Sequence, residues 1–560
     1  MNKTYKLRTG VIFVIFTLLF GVAVCYLFSL QIKQHDFFIK MGKRQYFVTV
    51  TQSPPRAAIL DRNNKPLALN KDSLAAFILP KTIKDKKAVK KFLQKHFPTC
   101  LKQWKRKPDA HFLYVKRRLD ETEQKLIAAA DLQDIHILNE PSRFYPNAAA
   151  GSLTGITNID NTGLFGIELQ YDTQLAGTPS TNTLEKDARS GHFYFSKETK
   201  EKGHAGTPIK LTIDSDLQFL VQEELLTRAE KYEAKEGAAV VLDPETGDIL
   251  AMASFPHFDP NNTTSLAQVA TKNTAVTESY EFGSAIKAFT ALAALEEKVV
   301  TPDEQIYCED AKTAYVDGRK INNWEAKGWL SFTDVIKRSN NFGIAKVAKR
   351  LDKNLYHHFK KLGFGTKTGI PFPGEQSGFI NPPKNWSKQS IISLSYGYEL
   401  TTTLLRITTA FSIFATNGHL IKPRLVIDEQ EAHYEPEKIY SDESIETMRI
   451  ILRETTMQGG TAKYASIKGY TTMGKTSTAN LLVDGLYDET KNFYGFVGII
   501  EQDNHKRVIG CFLKESPRKN LFASTVAAPL FKKIAEKTLI HNNVIARKDD
   551  ESHTARNRTT

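Results

Sequence analysis

Nucleophilic serine chemistry requires a serine, a base within hydrogen-bond reach and donors for the oxyanion that develops. Ser284-Ala285-Ile286-Lys287 supplies the first two at a useful spacing. On a helix, residues three apart share a face, so the Lys287 amine can lie beside the Ser284 hydroxyl. A lysine serves as base only when its pKa is lowered, which burial and a second nearby cation achieve. The pair opens the run Ala285 to Glu296 (AIKAFTALAALE), rich in alanine and leucine and free of interior glycine and proline. That composition predicts a buried helix, whose free N–H groups at the start favour developing negative charge.

Ser516-Pro517-Arg518-Lys519 repeats the spacing, but proline follows the serine directly and no apolar helix lies behind it, so it reads as a surface loop. Ser284 differs by its company. Ser339-Asn340-Asn341 follows it, at the start of a helical run (NFGIAKVAKRL), where Ser339 alone would read as a helix cap. Gly474-Lys475-Thr476-Ser477-Thr478 comes next, in a segment leading to the late strands.

Positioning three such segments takes a substantial fold. The chain has 560 residues, 41% apolar and 25% charged, which predicts more than one domain and a large core. Val11 to Leu30 carries no charge and is long enough to cross a bilayer as a helix. Lys3, Lys6 and Arg8 precede it, which places the N-terminus in the cytoplasm and the rest outside. SLQIKQHDFF follows the apolar run in place of a small-residue cleavage site, favouring an uncleaved anchor over a signal peptide. Val24 before Cys25 argues against a lipoprotein cysteine.

The net charge of +14 implies an attraction to anionic partners, and an extracytoplasmic location sets nucleic acid aside. Cys100, Cys308 and Cys511 are too few and scattered for a disulfide framework or zinc site, and allow one bridge at most; no metal or cofactor is implied. The basic stretch from Lys81 (KTIKDKKAVKKFLQKHF) reads as a solvated amphipathic helix, with a membrane-surface or partner contact as the alternative. EGAAVVLDPETGDILAMAS, from Glu236, predicts a hairpin turning at Pro244-Glu245-Thr246-Gly247. NFYGFVGIIEQ and HKRVIGCFLKE predict neighbouring strands, AAPLFKKIAEKTLI a final helix, and the residues after His541 a disordered tail. Strands, helices and strands again predict an α+β fold.

The trio S-x-x-K, S-x-N and K-T-x, in that order, occurs in serine β-lactamases and penicillin-binding proteins. Nearly the whole chain resembles the class B penicillin-binding proteins. YEFGSAIKAFTALAALE is similar to their nucleophile segment, and DPETGDILAMASFPHFDPN with TIDSDLQ to the hairpin and domain entry before it. Arg56, Ile59, Asp61, Arg62 and Leu67 match an anchor-proximal pattern, and GLFGIELQYDTQLAG the end of a non-catalytic pedestal. LSYGYELTTTLL and GGTAKYASIKGYTTMGKTSTA lie closer to the septal, cell-division type than to the elongation type.

The resemblance implies a cytoplasmic segment at 1–10, an anchor at 11–31, an elongated mixed α/β pedestal at 45–205, a transpeptidase domain with a mostly antiparallel sheet flanked by helices at 210–540, and a polar tail at 541–560. It implies the activity of a peptidoglycan D,D-transpeptidase, inhibited covalently by β-lactams. Ser284 would be acylated, with Lys287 as base. Ser339 would relay the proton to the departing D-alanine, Lys475 tuning that site, and Asn341 would bond Lys287 and the peptide amide. The donor's carboxylate would meet Thr476, Thr478 and the Lys475 charge, with Ser477 beside it. Backbone N–H groups of Ser284 and Thr478 would form the oxyanion hole. Partners would be D-Ala-D-Ala stem peptides, an acceptor amine and membrane-embedded division proteins, among them a glycan polymerase.

Two departures stand out. Ala57 and Asn64 replace glycines near the anchor, which affects local turn geometry only. Ser477 replaces the glycine of K-T-G, adding a side chain where the strand approaches nucleophile and substrate, so altered β-lactam affinity is expected. The anchor, the pedestal and the size argue against a soluble β-lactamase. The pedestal-like stretch after the anchor leaves no room for the glycosyltransferase domain of a bifunctional polymerase, and neither the further spans nor the signalling domain of a β-lactam sensor is visible. A non-catalytic division scaffold is the remaining alternative; loss of Ser284 or Lys287 would mark it, and both are present.

Overall fold

The computed structural model describes residues 3–52, 54–81, 83–110, 112–186, 193–262, 271–428, 435–483, 486–502 and 505–541. The tail expected to be disordered lies, beyond His541, outside the described residues. The chain divides into two compact units, Met1–Arg56 with Ala176–Gly206, and Ala57–Leu175 with Thr207–Thr560. The stretch 45–205, expected as one pedestal, is split between them.

The smaller unit opens with helix Lys3–Phe28, which ends in the π turn Ser29–Lys33. Its 26 residues span about 39 Å, more than the ~30 Å of a bilayer's hydrocarbon core. The most apolar 18-residue window within Tyr5–Lys33 has a mean hydropathy of 2.8, and none of it is buried in the protein. It forms a single-pass membrane anchor. Strands Phe47–Gln52, Ser180–Lys186 and Phe193–Glu201 form an antiparallel sheet in that order.

The larger unit is built on five antiparallel strands: β1 (Glu236–Leu242), β2 (Ile249–Phe255), β3 (Thr471–Val483), β4 (Leu486–Gln502) and β5 (His505–Lys514), in the order β2-β1-β5-β4-β3. The hairpin β1–β2 turns where expected, with Gly247 at φ 76 and its N–H donating to the Asp243 carbonyl. From Gly237 onward β1 is apolar and buried because both faces of the sheet are covered. Ala238, Val240 and Leu242 pack into one core with helix Lys287–Glu296; Ala239 and Val241 pack into a second with helices Ser215–Tyr232 and Ala523–His541.

A third core lies under the basic stretch, where helix Lys86–His96 is started by Asp85, whose carboxylate accepts from the N–H groups of Lys87 and Ala88. Val89 and Leu93, one turn apart, are fully buried against Trp104 of helix Pro98–Arg106, while the lysines between them stay exposed. Asn64 sits at φ 63, in the left-handed region that asparagine tolerates better than most residues, so the turn keeps its shape without glycine. Asp61 closes that turn by accepting from the N–H groups of Asn63 and Lys65, and its other oxygen takes the Ser215 hydroxyl at 2.7 Å. Cys100, Cys308 and Cys511 are free and buried, one in each core.

Candidate active site

Helix Lys287–Glu296 is buried from Lys287 to Leu295, so its first charged side chain enters the core. Ser284 precedes it on a 3-10 turn, Gly283–Ala285, closed by the Ala285 N–H on the Phe282 carbonyl at 3.2 Å. The α-helix therefore starts two residues later than Ala285, and Ser284 stands just before it, partly exposed.

The second segment departs from expectation. Asn340, not Ser339, caps helix Asn341–Leu351, accepting from the Gly343 N–H at 2.9 Å. Ser339 lies outside the helix at φ 57, a region costly for a serine. That backbone presents both its carbonyl and its hydroxyl to the nucleophile helix. Trp324 supports the turn, its indole N–H donating to the Arg338 carbonyl at 2.9 Å. Asn341 is oriented by donating to the Asn322 carbonyl at 2.6 Å.

The third segment lies in the edge strand β3. Side chains alternate along it. Met473 and Ala479 join the nucleophile helix's core, and Lys475 and Ser477, on the same face, are fully buried. Thr476 and Thr478 face the other way and line a cleft of about 520 Å³. Ser284, Ser339 and Asn341 line the same cleft. Ser477 does not: its hydroxyl donates to the Phe282 carbonyl, which corrects its placement beside the substrate. An odd position on β3 looks inward, so the added side chain narrows the strand's approach to the nucleophile turn and leaves the cleft's width alone.

Two lysines converge on one hydroxyl. The Lys287 Nζ lies 2.6 Å from the Ser339 carbonyl, 2.5 Å from Asn341 Oδ1 and 3.1 Å from Ser339 Oγ. The Lys475 Nζ reaches the same Oγ at 2.8 Å. Both side chains are fully buried, and among the described residues neither has a carboxylate within ion-pair distance. Burial pushes Lys475 down to about 7. Burial, followed by the Lys475 charge, holds Lys287 well below the ordinary lysine range. A neutral amine at Lys287 can take a proton, and the Ser339 hydroxyl, touched by both amines, can pass one on.

Asn323, Trp324, Thr461, Tyr464, Phe522 and Ser524 also line the cleft and were not singled out from sequence. Thr461 and Tyr464 lie in the GGTAKY stretch; Trp324 and Phe522 sit in irregular segments where no periodicity marks them. Ser516, in the second S-x-x-K match, is buried with its hydroxyl on the Tyr232 carbonyl, so it is no surface serine, and Lys519 is exposed apart from it.

Residues 237–536, more than half of the chain, match the penicillin binding protein transpeptidase domain, and residues 51–211 match the penicillin-binding protein dimerisation domain. A probable peptidoglycan D,D-transpeptidase, PbpC, of Pseudomonas aeruginosa is 28% identical over 90% of both chains. The peptidoglycan D,D-transpeptidase FtsI of Escherichia coli is 26% identical over 90% of this chain and 86% of its own. Among solved structures, penicillin binding protein 3 of Mycobacterium tuberculosis in complex with aztreonam superposes with a TM-score of 0.68 at 26% identity, covering 88% of this chain and 98% of that one.

Proposed function

Because this chain belongs to the penicillin-binding protein transpeptidase family, we propose that it cross-links peptidoglycan stem peptides through an acyl-enzyme on Ser284. The observation that carries the assignment of residues is the meeting of two buried lysines at the Ser339 hydroxyl, beside a partly exposed serine. Lys287 takes the Ser284 proton as Oγ attacks the penultimate D-alanine carbonyl. The C–N bond then breaks, and the leaving D-alanine amine receives a proton through Ser339, with Lys475 beside it. An amine of a neighbouring stem attacks the ester next and returns the proton to Ser284. Asn341 holds Lys287 and meets the peptide amide. Thr476 and Thr478, with the Lys475 charge, receive the donor's carboxylate. N–H groups of Ser284 and Thr478 stabilise the oxyanion, at roughly 3 kcal/mol per donor. β-Lactams acylate the same serine and stay, because their leaving group remains tethered.

By the same reading, residues 11–31 anchor the chain, 45–205 form the pedestal, although its residues belong to two compact units, and 210–540 form the catalytic domain. Lys3, Lys6 and Arg8 put the N-terminus in the cytoplasm and the site on the outer, periplasmic side of the inner membrane. The likeness to FtsI supports septal cross-linking in company with membrane-embedded division proteins, including a glycan polymerase.

The test is labelling of the full chain with a fluorescent penicillin beside Ser284→Ala. Labelling of the wild type that vanishes in the variant, with the adduct mapped to the Ser284 peptide, is the expected result. A folded wild type that takes no label would move the protein to the scaffold reading.

A further inference from the structure

We propose that Ser477 is a positioning residue for the acylation step: its hydroxyl holds the Phe282 carbonyl and thereby fixes the turn that carries Ser284. This rests on the reading of Ser284 as nucleophile. The Phe282 carbonyl has two lone pairs and two donors. The Ala285 N–H closes the 3-10 turn on it at 3.2 Å, and the Ser477 hydroxyl arrives from β3. The turn is also confined from another side. Gly397, at φ 92, leaves no room for a side chain, since a Cβ there would come within 2.2 Å of the Gly283 carbonyl. A Cβ on Gly283 would in turn lie 3.8 Å from Ser477 Oγ and 3.4 Å from the Thr478 carbonyl, so turn and strand are in direct contact.

The physical consequence is a rigid link between two parts of one reaction centre. Ser284 rides on the turn, and Thr476 and Thr478 ride on the strand. Their relative placement decides whether the attacking oxygen and the oxyanion donors meet the same carbonyl, and small misplacements are costly. A buried hydroxyl also needs a partner, and the Phe282 carbonyl satisfies this one. Glycine at 477 could pack as closely but could make no such bond. Serine in this chain has thus converted a contact between strand and turn into a bonded one.

The experiment compares wild type, Ser477→Ala and Ser477→Gly as full chains. For each, penicillin acylation is followed in single turnover and split into the dissociation constant of the non-covalent complex and the first-order acylation constant. Rates are expressed per titratable site, so that lost stability alone does not register. The acylation constant is expected to fall about five- to tenfold in both variants, as for loss of one buried hydrogen bond, with the dissociation constant unchanged. Alanine matching wild type would show that the side chain only fills space and would overturn the proposal. Glycine acylating faster than wild type would overturn it too, by making serine a burden on the turn. Either outcome leaves the Ser284 reading standing; a wild type that does not acylate at all removes both.

Discussion

Among the described residues no carboxylate balances Lys287, so its charge depends on what else is buried nearby. Burial lowers its pKa first, and the Lys475 charge lowers it further. The neutral form is the base, so acylation should slow on the acid side as Lys287 gains a proton. Replacing Lys475 by methionine keeps the length of the side chain and removes the second cause. The Lys287 pKa then rises, and the acid limb of the acylation–pH profile should move to higher pH, whatever happens to the maximum rate. Measuring the second-order rate for a fluorescent penicillin across pH in both proteins decides this. A limb that stays in place would show that burial alone sets the base. Spacing pairs Ser284 with Lys287, whereas Asn341 and Lys475 enter the sequence reading only through the resemblance of their segments to a known trio of motifs. Ser339 could be found as a position but not as a conformation, since φ 57 there comes from the loop that Trp324 and Asn340 hold.

At the level of elements, the turn before the nucleophile helix depends on a glycine that no motif points to. Gly397 lies against Gly283 so closely that Gly397→Ala must push the two loops apart. Positive φ at 397 adds backbone strain to the clash. The variant should keep its secondary structure by circular dichroism and lose most of its penicillin labelling; undiminished labelling would mean that the loop yields without moving Ser284. The sheet itself could be read in advance. The hairpin β1–β2 and the neighbours β4 and β5 follow from alternation and turn residues. What alternation could not tell was that β3 extends across Lys475-Thr476-Ser477-Thr478, because threonine, serine and lysine carry no apolar period there. The inward-facing Lys475 and Ser477 break the usual rule that polar residues look outward, and they do so at the site.

At the scale of the molecule, the described residues form three cores, of which two touch the catalytic sheet. The third, under helices Lys86–His96 and Pro98–Arg106, is centred on Leu93 and Trp104. Trp104→Ala should cost that core about 3–5 kcal/mol. It should leave the acylation rate of the folded protein unchanged, which a thermal melt and a labelling time course would show together. A parallel loss of acylation would mean that the third core supports the site. The amphipathic helix over this core was evident from Val89 and Leu93 among lysines, whereas the division of 45–205 between two units was not, because chain continuity says nothing about which strands pair.

Each core also holds one free cysteine: Cys308 with the nucleophile helix, Cys511 behind the sheet and Cys100 beneath the basic helices. Burial pushes these thiols up to about 11, 12 and 11 respectively, so in the closed protein they are neither accessible nor ionised. An alkylating reagent can reach each one only when its own core opens. The molecule thus carries three resident clocks, and pulsed alkylation followed by peptide mapping reads the opening of each core separately, without any cysteine having to be engineered in.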